Sequence, residues 1–210
     1  MTLATYSGIQ TGIGNWLHRA GESGLTDRID EWIELAEDRF YAELRIRPME
    51  ATTDLTISSQ EVSLPSSFLG VRRLYISGTP NKRLEYISPP AFWEKYLSTQ
   101  TGLPKAFTIE GENLVFGPSP DDSYTGKILY WKRLTALSSS NTSNWFTTNA
   151  RGLYLYGALL EAAAFFNHPS EYAQRWALLY DDIIEKIKVA DKLDRFPSAI
   201  AMESTGITPA

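Results

Sequence analysis

The hydrophobic periodicity of this chain changes twice, and these changes constrain its fold more than any other feature. Apolar residues recur at helical spacing up to about residue 50, alternate with polar ones over 51–135, and return to helical spacing over 136–195. Helices at both ends with strands between them predict an α+β fold, in which a helical bundle carries an inserted antiparallel β-domain. Residues 196–210 hold two prolines and a glycine among small residues, which predicts an extended C-terminal tail.

The first 50 residues predict two helices of the bundle. A short helix spans about residues 4–19, and a longer one runs from Thr26 to Ile46, capped by Thr26 or Asp27 and stopped by Pro48. Its apolar stripe comprises Ile29, Trp32, Ile33, Ala36, Phe40 and Leu44. The opposite face, which we expect to meet solvent, carries Asp30, Glu31, Glu34, Glu37 and Asp38.

Residues 51–135 predict short strands separated by turns. Leu55 and Ile57 alternate with polar residues, and residues 110–113 predict a hairpin turn before the apolar run 114–116. Ser88, followed by two prolines, predicts the cap and first turn of a short helix near 89–97.

The segment 136–195 predicts a helical hairpin, with helices at 150–166 and 171–193 that flank a break at 167–169. Small residues in the first helix allow close approach of a bulky stripe in the second, which comprises Tyr172, Trp176, Leu179, Tyr180, Ile183, Ile184 and Ile187. Glu161 is the only carboxylate in the apolar first helix. We expect an arginine such as Arg151 or Arg175 to pair with it.

Composition narrows the class of protein. The chain has no cysteine, which excludes disulfides, zinc–thiolate sites and a cysteine nucleophile and is typical of a reducing compartment. We find no secretory signal and no apolar run near the roughly 20 residues that span a bilayer, so we expect synthesis in the cytoplasm and no membrane contact. The net charge of −5, concentrated in the first third, disfavours a protein that wraps DNA.

No catalytic motif emerges from the residue pattern. His18 and His168 are the only histidines and lie far apart, so we expect no metal and no cofactor. One alternative is a peptidoglycan-cleaving glycosidase or transglycosylase that uses acidic helix residues such as Glu34, Glu37 and Glu161. Another is nucleic-acid binding through basic residues of the strand region: Arg72, Arg73, Lys82, Arg83, Lys127, Lys132 and Arg133. We favour a structural subunit that docks to other chains and is not an enzyme.

A series of short motifs runs through most of the chain. They are Leu64-Pro65-Ser66-Ser67-Phe68-Leu69 with 71–75, the pair 104–111 and 114–121, Tyr130-Trp131-Lys132, Ala136-Leu137-Ser138, Asn144-Trp145-Phe146, and the helix 153–166 with its Leu-Leu-Glu-Ala-Ala centre. In this order they resemble the head-to-tail adaptor proteins of short-tailed bacteriophages.

The resemblance implies a homo-oligomer, a ring of twelve subunits beneath the portal protein of a DNA-filled capsid. Such a ring extends the DNA channel, through which the genome passes without sequence-specific binding. It also attaches nozzle, tail or tail-fibre proteins. The chain would therefore belong to the head-to-tail interface of a virion, after synthesis in the host cytoplasm.

Two sets of residues are candidates for these roles. In such adaptors a C-terminal segment inserts against the portal, which suits residues 196–210. The predicted portal-docking side chains are Phe196, Ile200, Met202 and Ile207. The predicted channel-facing residues are Glu34, Glu37 and Asp38, because negative charge discourages phosphate groups from binding.

Overall fold

The computed structural model describes residues 2–96 and 100–195, and within them the chain forms two compact units. The helical unit consists of residues 2–48 and 134–195, and the β-unit of residues 49–96 and 100–133. Helices and mostly antiparallel sheets are both present, which confirms the predicted α+β class.

The elements follow one another in three groups along the chain. The first group is α1 (Tyr6–Trp16), α2 (Leu25–Glu43) and a 3₁₀ turn (Arg47–Met49). The second is β1 (Glu50–Ile57), β2 (Glu61–Ser63), β3 (Phe68–Ile76), β4 (Lys82–Arg83), β5 (Glu85–Tyr86), α3 (Pro89–Lys95), β6 (Ala106–Glu110), β7 (Asn113–Gly117) and β8 (Tyr124–Lys132). The third is α4 (Trp145–Asn149), α5 (Arg151–Phe165) and α6 (Ser170–Arg195).

Helix α2 begins one residue earlier than predicted, and its cap is different. Gly24 precedes the helix with a left-handed φ of 76° and no side-chain cap bond. Glycine adopts this conformation without a steric penalty, so the chain can turn sharply into the helix. Thr26 and Asp27 lie inside the first turn, where the Asp27 carboxylate faces the positive end of the helix dipole. The prediction that one of them caps α2 was wrong.

Helix α5 lies at the centre of the helical unit and packs against both α2 and α6. A Cβ placed on Gly157 would lie 2.8 Å from the Ala36 Cβ of α2, so two small residues bring these helices together. Phe40 of α2 packs against Phe146 and Tyr154, with ring centroids 4.5 and 5.3 Å apart. These contacts form a core of small and aromatic side chains.

Only part of the predicted α6 stripe is buried in this core. Trp176, Tyr180 and Ile184 are buried, whereas Tyr172 is 54% exposed. Tyr172 belongs to the first turn of α6, and its ring packs against those of His168 and Trp176, with centroids 6.2 and 6.1 Å away.

The β-unit contains two four-stranded sheets, with strand orders β1-β8-β3-β4 and β2-β7-β6-β5. All pairs are antiparallel except β5 with β6. The predicted hairpin is confirmed: β6 and β7 pair from Glu110 and Asn113, and Gly111 takes a positive φ of 56° in the turn. Side chains of both sheets share one core: Ile57, Leu74, Ile76, Leu84, Phe107, Leu114, Phe116, Ile128 and Tyr130.

The predicted short helix, α3, packs against the second sheet. Phe92 and Tyr96 lie on Ala106 and Val115, in a small cluster of their own. A Cβ on Gly117 would approach the Tyr96 ring to 2.6 Å, so only glycine permits this contact. This requirement gives a physical reason for the glycine in the 114–121 motif.

Candidate docking site

The most buried charged group of the helical unit is Glu37, whose residue is only 5% exposed. Its Oε1 accepts hydrogen bonds from the Tyr154 hydroxyl at 2.8 Å and from the Leu137 backbone N–H at 3.0 Å. The Tyr154 oxygen in turn accepts from the Asn144 side-chain amide at 2.6 Å. Burial, and then the nearby Glu37 carboxylate, raise the pKa of the Tyr154 hydroxyl well above its usual value, so it stays a donor.

This network fastens the loop 134–144 to the helices. The backbone N–H of Leu134 donates to the Tyr41 hydroxyl at 3.0 Å, which ties the start of the loop to α2. At its end, Asn144 caps α4: its Oδ1 accepts from the N–H groups of Phe146 and Thr147, and its own N–H donates to Thr147 Oγ1. The role of two motifs is thus structural: they hold the loop 134–144 against the helices. These motifs are Ala136-Leu137-Ser138 and Asn144-Trp145-Phe146. An Asn-x-x-Thr capping pattern could have indicated α4 from sequence.

The three predicted channel-facing residues do not share one environment. Glu34 and Asp38 lie on the exposed face of α2, whereas Glu37 faces the core. The expectation that Glu37 meets solvent was wrong, because a hydroxyl and a backbone N–H from distant segments satisfy its carboxylate inside the unit. Only Glu34 and Asp38 remain as channel-facing candidates.

Glu161 has a different partner from the one expected. It forms an ion pair with Arg39 of α2, and neither Arg151 nor Arg175 is its partner in this pair. The Glu161 side chain is 23% exposed, on the side of α5 that faces α2. Its charge is therefore balanced across the α2–α5 contact.

The basic residues of the strand region have structural contacts of their own. Arg72 pairs with Glu50 at 2.5 Å and lies over the Trp131 ring at 4.9 Å. Lys127 pairs with Asp54 at 3.4 Å. These cross-strand pairs neutralise part of the positive charge that suggested nucleic-acid binding.

Two open cavities of the helical unit are candidate docking surfaces. The larger, of about 610 Å³, lies between α6 and the segment around Pro48 and Trp145. The smaller, of about 320 Å³, brings together both histidines, His18 and His168, with Trp16, Tyr172 and Trp176. Trp16 and Tyr172 are exposed, and exposed aromatic side chains are common in protein interfaces.

Two further observations concern the described residues alone. Residues 2–96 and 100–195 contain no group of three or more His, Cys, Asp or Glu placed to hold a metal ion. In the same ranges, no helix combines the length and the apolar character that crossing a bilayer requires. The predicted portal-docking residues, Phe196, Ile200, Met202 and Ile207, lie outside the described part of the chain.

The fold defines the class of protein. It is an α+β structural subunit that has a helical unit, a two-sheet unit and open surface grooves. The family model described as SU10 adaptor protein matches residues 4–203, and the chain therefore belongs to this family. It is a phage adaptor, a structural component of the virion, and the resemblance inferred from the motif series is confirmed. No curated protein matches the chain.

Proposed function

We propose that this adaptor forms a ring of twelve copies beneath the portal protein, after synthesis in the host cytoplasm. The ring extends the DNA channel towards the tail and carries nozzle, tail or tail-fibre proteins on its far side. The match to the adaptor family over residues 4–203 is the observation that supports this role. In this role the chain acts by docking, remains in place during genome ejection and catalyses no reaction.

The α2 surface supports the channel part of this proposal. Glu34 and Asp38 lie one turn apart on its exposed face, and the chain carries a net charge of −5. We propose that this face lines the channel. DNA phosphates would then meet like charge, so the genome slides past without sequence-specific binding.

The apolar residues of the tail support the portal part. Phe196, Ile200, Met202 and Ile207 are spaced along residues 196–210, and such side chains bind in pockets of a partner. Burial of these apolar side chains on a preassembled portal favours binding there. We therefore expect the free chain to be monomeric and to form rings on the portal.

Two of the three carboxylates named for an enzymatic role, Glu37 and Glu161, have structural partners. Glu37 is bonded to Tyr154 and Leu137, and Glu161 is paired with Arg39. An acid and a base for glycoside cleavage must face each other across a cleft that admits the sugar. These contacts favour docking over catalysis.

Negative-stain electron microscopy tests the proposal. The concentrated chain is imaged alone and after mixing with the portal protein encoded by the same phage. We expect an added ring on one end of the portal particle. Portal particles that keep their original length at every adaptor concentration would contradict the proposal.

A further inference from the structure

Helix α6 extends beyond the helix that it packs against. It has 26 residues and α5 has 15, which correspond to about 39 and about 22 Å of helix. Gly152, in the first turn of α5, already faces Ile183 of α6. Residues 184–195 therefore continue past the start of α5, and the apolar stripe of α6 loses its main partner there.

The half-buried part of this stripe forms one wall of the groove of about 610 Å³. Ile183, Ile187 and Ala190 share this wall at helical spacing. Pro48 and Trp145 lie in the rest of the lining. The volume lies in the range of about 300–1,000 Å³ that is typical of binding pockets.

The described chain ends at the rim of this groove. Arg195, its last residue, pairs through Nε with Asp191. Asp191 also accepts a hydrogen bond from the backbone N–H of Arg47 at 2.6 Å, and both Arg47 and Asp191 line the groove. Arg195, to which residues 196–210 are attached, is thus held beside the apolar wall.

We propose that, in the free subunit, residues 196–210 of the same chain fold back into this groove. Fifteen residues can span up to about 50 Å, whereas the stretch of α6 from Ile183 to Asp194 is about 16 Å long. Attachment through Arg195 gives the tail an effective concentration on the order of 1 mM at the groove, which favours it over a free partner.

Two chemical features of the tail fit the groove. Its large apolar side chains match the apolar wall: Phe196, Ile200, Met202 and Ile207. Its one carboxylate side chain, Glu203, can pair with the Arg151 guanidinium, which belongs to the lining. The groove and the portal then compete for the same tail. This competition rests on the proposed function, whereas occupancy of the groove does not.

Hydrogen exchange of the full chain, read by mass spectrometry at low micromolar concentration, tests the fold-back. Ala190→Glu places a charge on the groove wall at an exposed position. Val189→Glu, the matched control, makes the same change at a neighbouring residue that is 55% exposed and not part of the lining. We expect the tail amides of the wild type and the control to exchange about tenfold more slowly than those of Ala190→Glu.

A second variant, Ile187→Glu, should also release the tail; circular dichroism shows whether each variant keeps its helices. Tail amides that exchange as fast in the wild type as in Ala190→Glu would overturn the inference. Protection that increases with protein concentration would assign the groove to the tail of a second copy and would overturn it equally. Rings on the portal without tail protection would contradict the fold-back and leave the proposed function intact. A protected tail in a chain that never binds the portal would support the fold-back and contradict the proposed function.

Discussion

At the scale of single residues, the structure depends on how Glu37 is accommodated. A buried carboxylate costs several kcal/mol unless hydrogen bonds replace its water. Here the Tyr154 hydroxyl and the Leu137 N–H supply them, from positions 117 and 100 residues further along the chain. Glu37 therefore links three segments that are distant in sequence.

Tyr154→Phe removes one of these donors and should destabilise the helical unit by about 1–3 kcal/mol, because Glu37 then stays buried with fewer partners. Tyr180→Phe is the matched control. The Tyr180 hydroxyl is buried without a hydrogen-bond partner among the described residues, so its removal should be neutral or stabilising. Urea unfolding measures both, and equal losses would contradict the assignment.

The same two tyrosines predict a loss of stability at alkaline pH. Burial is the main cause that raises the pKa of both hydroxyls; Glu37 adds to it for Tyr154 and Glu43 for Tyr180. Below pH 10, the ordinary tyrosine value, each hydroxyl is protonated in the folded and the unfolded chain. Above it the unfolded chain releases protons that the folded chain keeps, so stability falls as pH rises towards the folded pKa.

Each such tyrosine should contribute a slope of up to about 1.4 kcal/mol per pH unit in this window. Tyr180→Phe should remove the contribution of one tyrosine to this slope. Unlike Tyr154→Phe, it should not lower the free energy of unfolding at neutral pH. Unfolding free energies between pH 8 and pH 11 test this. A slope that is unchanged in Tyr180→Phe would refute the role of that hydroxyl.

At the scale of elements, the glycines of α5 set how closely its neighbours approach. Gly157 faces the Ala36 Cβ and Cα, which are backbone-fixed atoms of α2. Gly152 faces the Ile183 Cδ1, the end of a flexible side chain of α6. The same substitution therefore has a different cost at the two positions.

Gly157→Ala should destabilise the helical unit by about 1–3 kcal/mol, since α2 and α5 must move apart. Gly152→Ala should be close to neutral, because Ile183 can change rotamer and alanine favours the helix by about 1 kcal/mol. Thermal unfolding of the two variants provides the comparison. A larger loss for Gly152→Ala would contradict this account of the packing.

At the scale of the whole molecule, the proposed role divides between a folded body and a tail. Within residues 2–96 and 100–195, the helical unit and the β-unit each have a core of their own. A change in the tail should therefore alter docking and leave the fold of the two units intact.

Deleting residues 196–210 should abolish portal binding and leave the helical content unchanged. A chain that ends at residue 203 is the matched control, because it keeps Phe196, Ile200 and Met202 and loses only Ile207. Co-sedimentation with portal particles measures both. Full binding by the chain that lacks residues 196–210 would rule out the assigned role of the tail.

Local patterns in the sequence were enough to predict most element types and the α+β class. Periods of 3.6 and 2 residues are local properties, and they are visible wherever one face of a helix or strand is buried, as in α2 and α6. Caps and turns with a specific chemical requirement were also local, such as the Glu110–Asn113 turn and the two prolines that begin α3. The order of the short motifs then indicated the adaptor family.

Which polar side chains are buried, and which partners they take, depends on the tertiary structure. Glu34, Glu37 and Asp38 look equivalent on α2, yet Glu37 alone is buried, because Leu137 and Tyr154 reach it from distant segments. Glu161 pairs with Arg39 since α5 turns that side towards α2. The groove beside α6 arises from a difference in length between two helices. Such features depend on contacts between residues far apart in the chain, which local patterns do not encode.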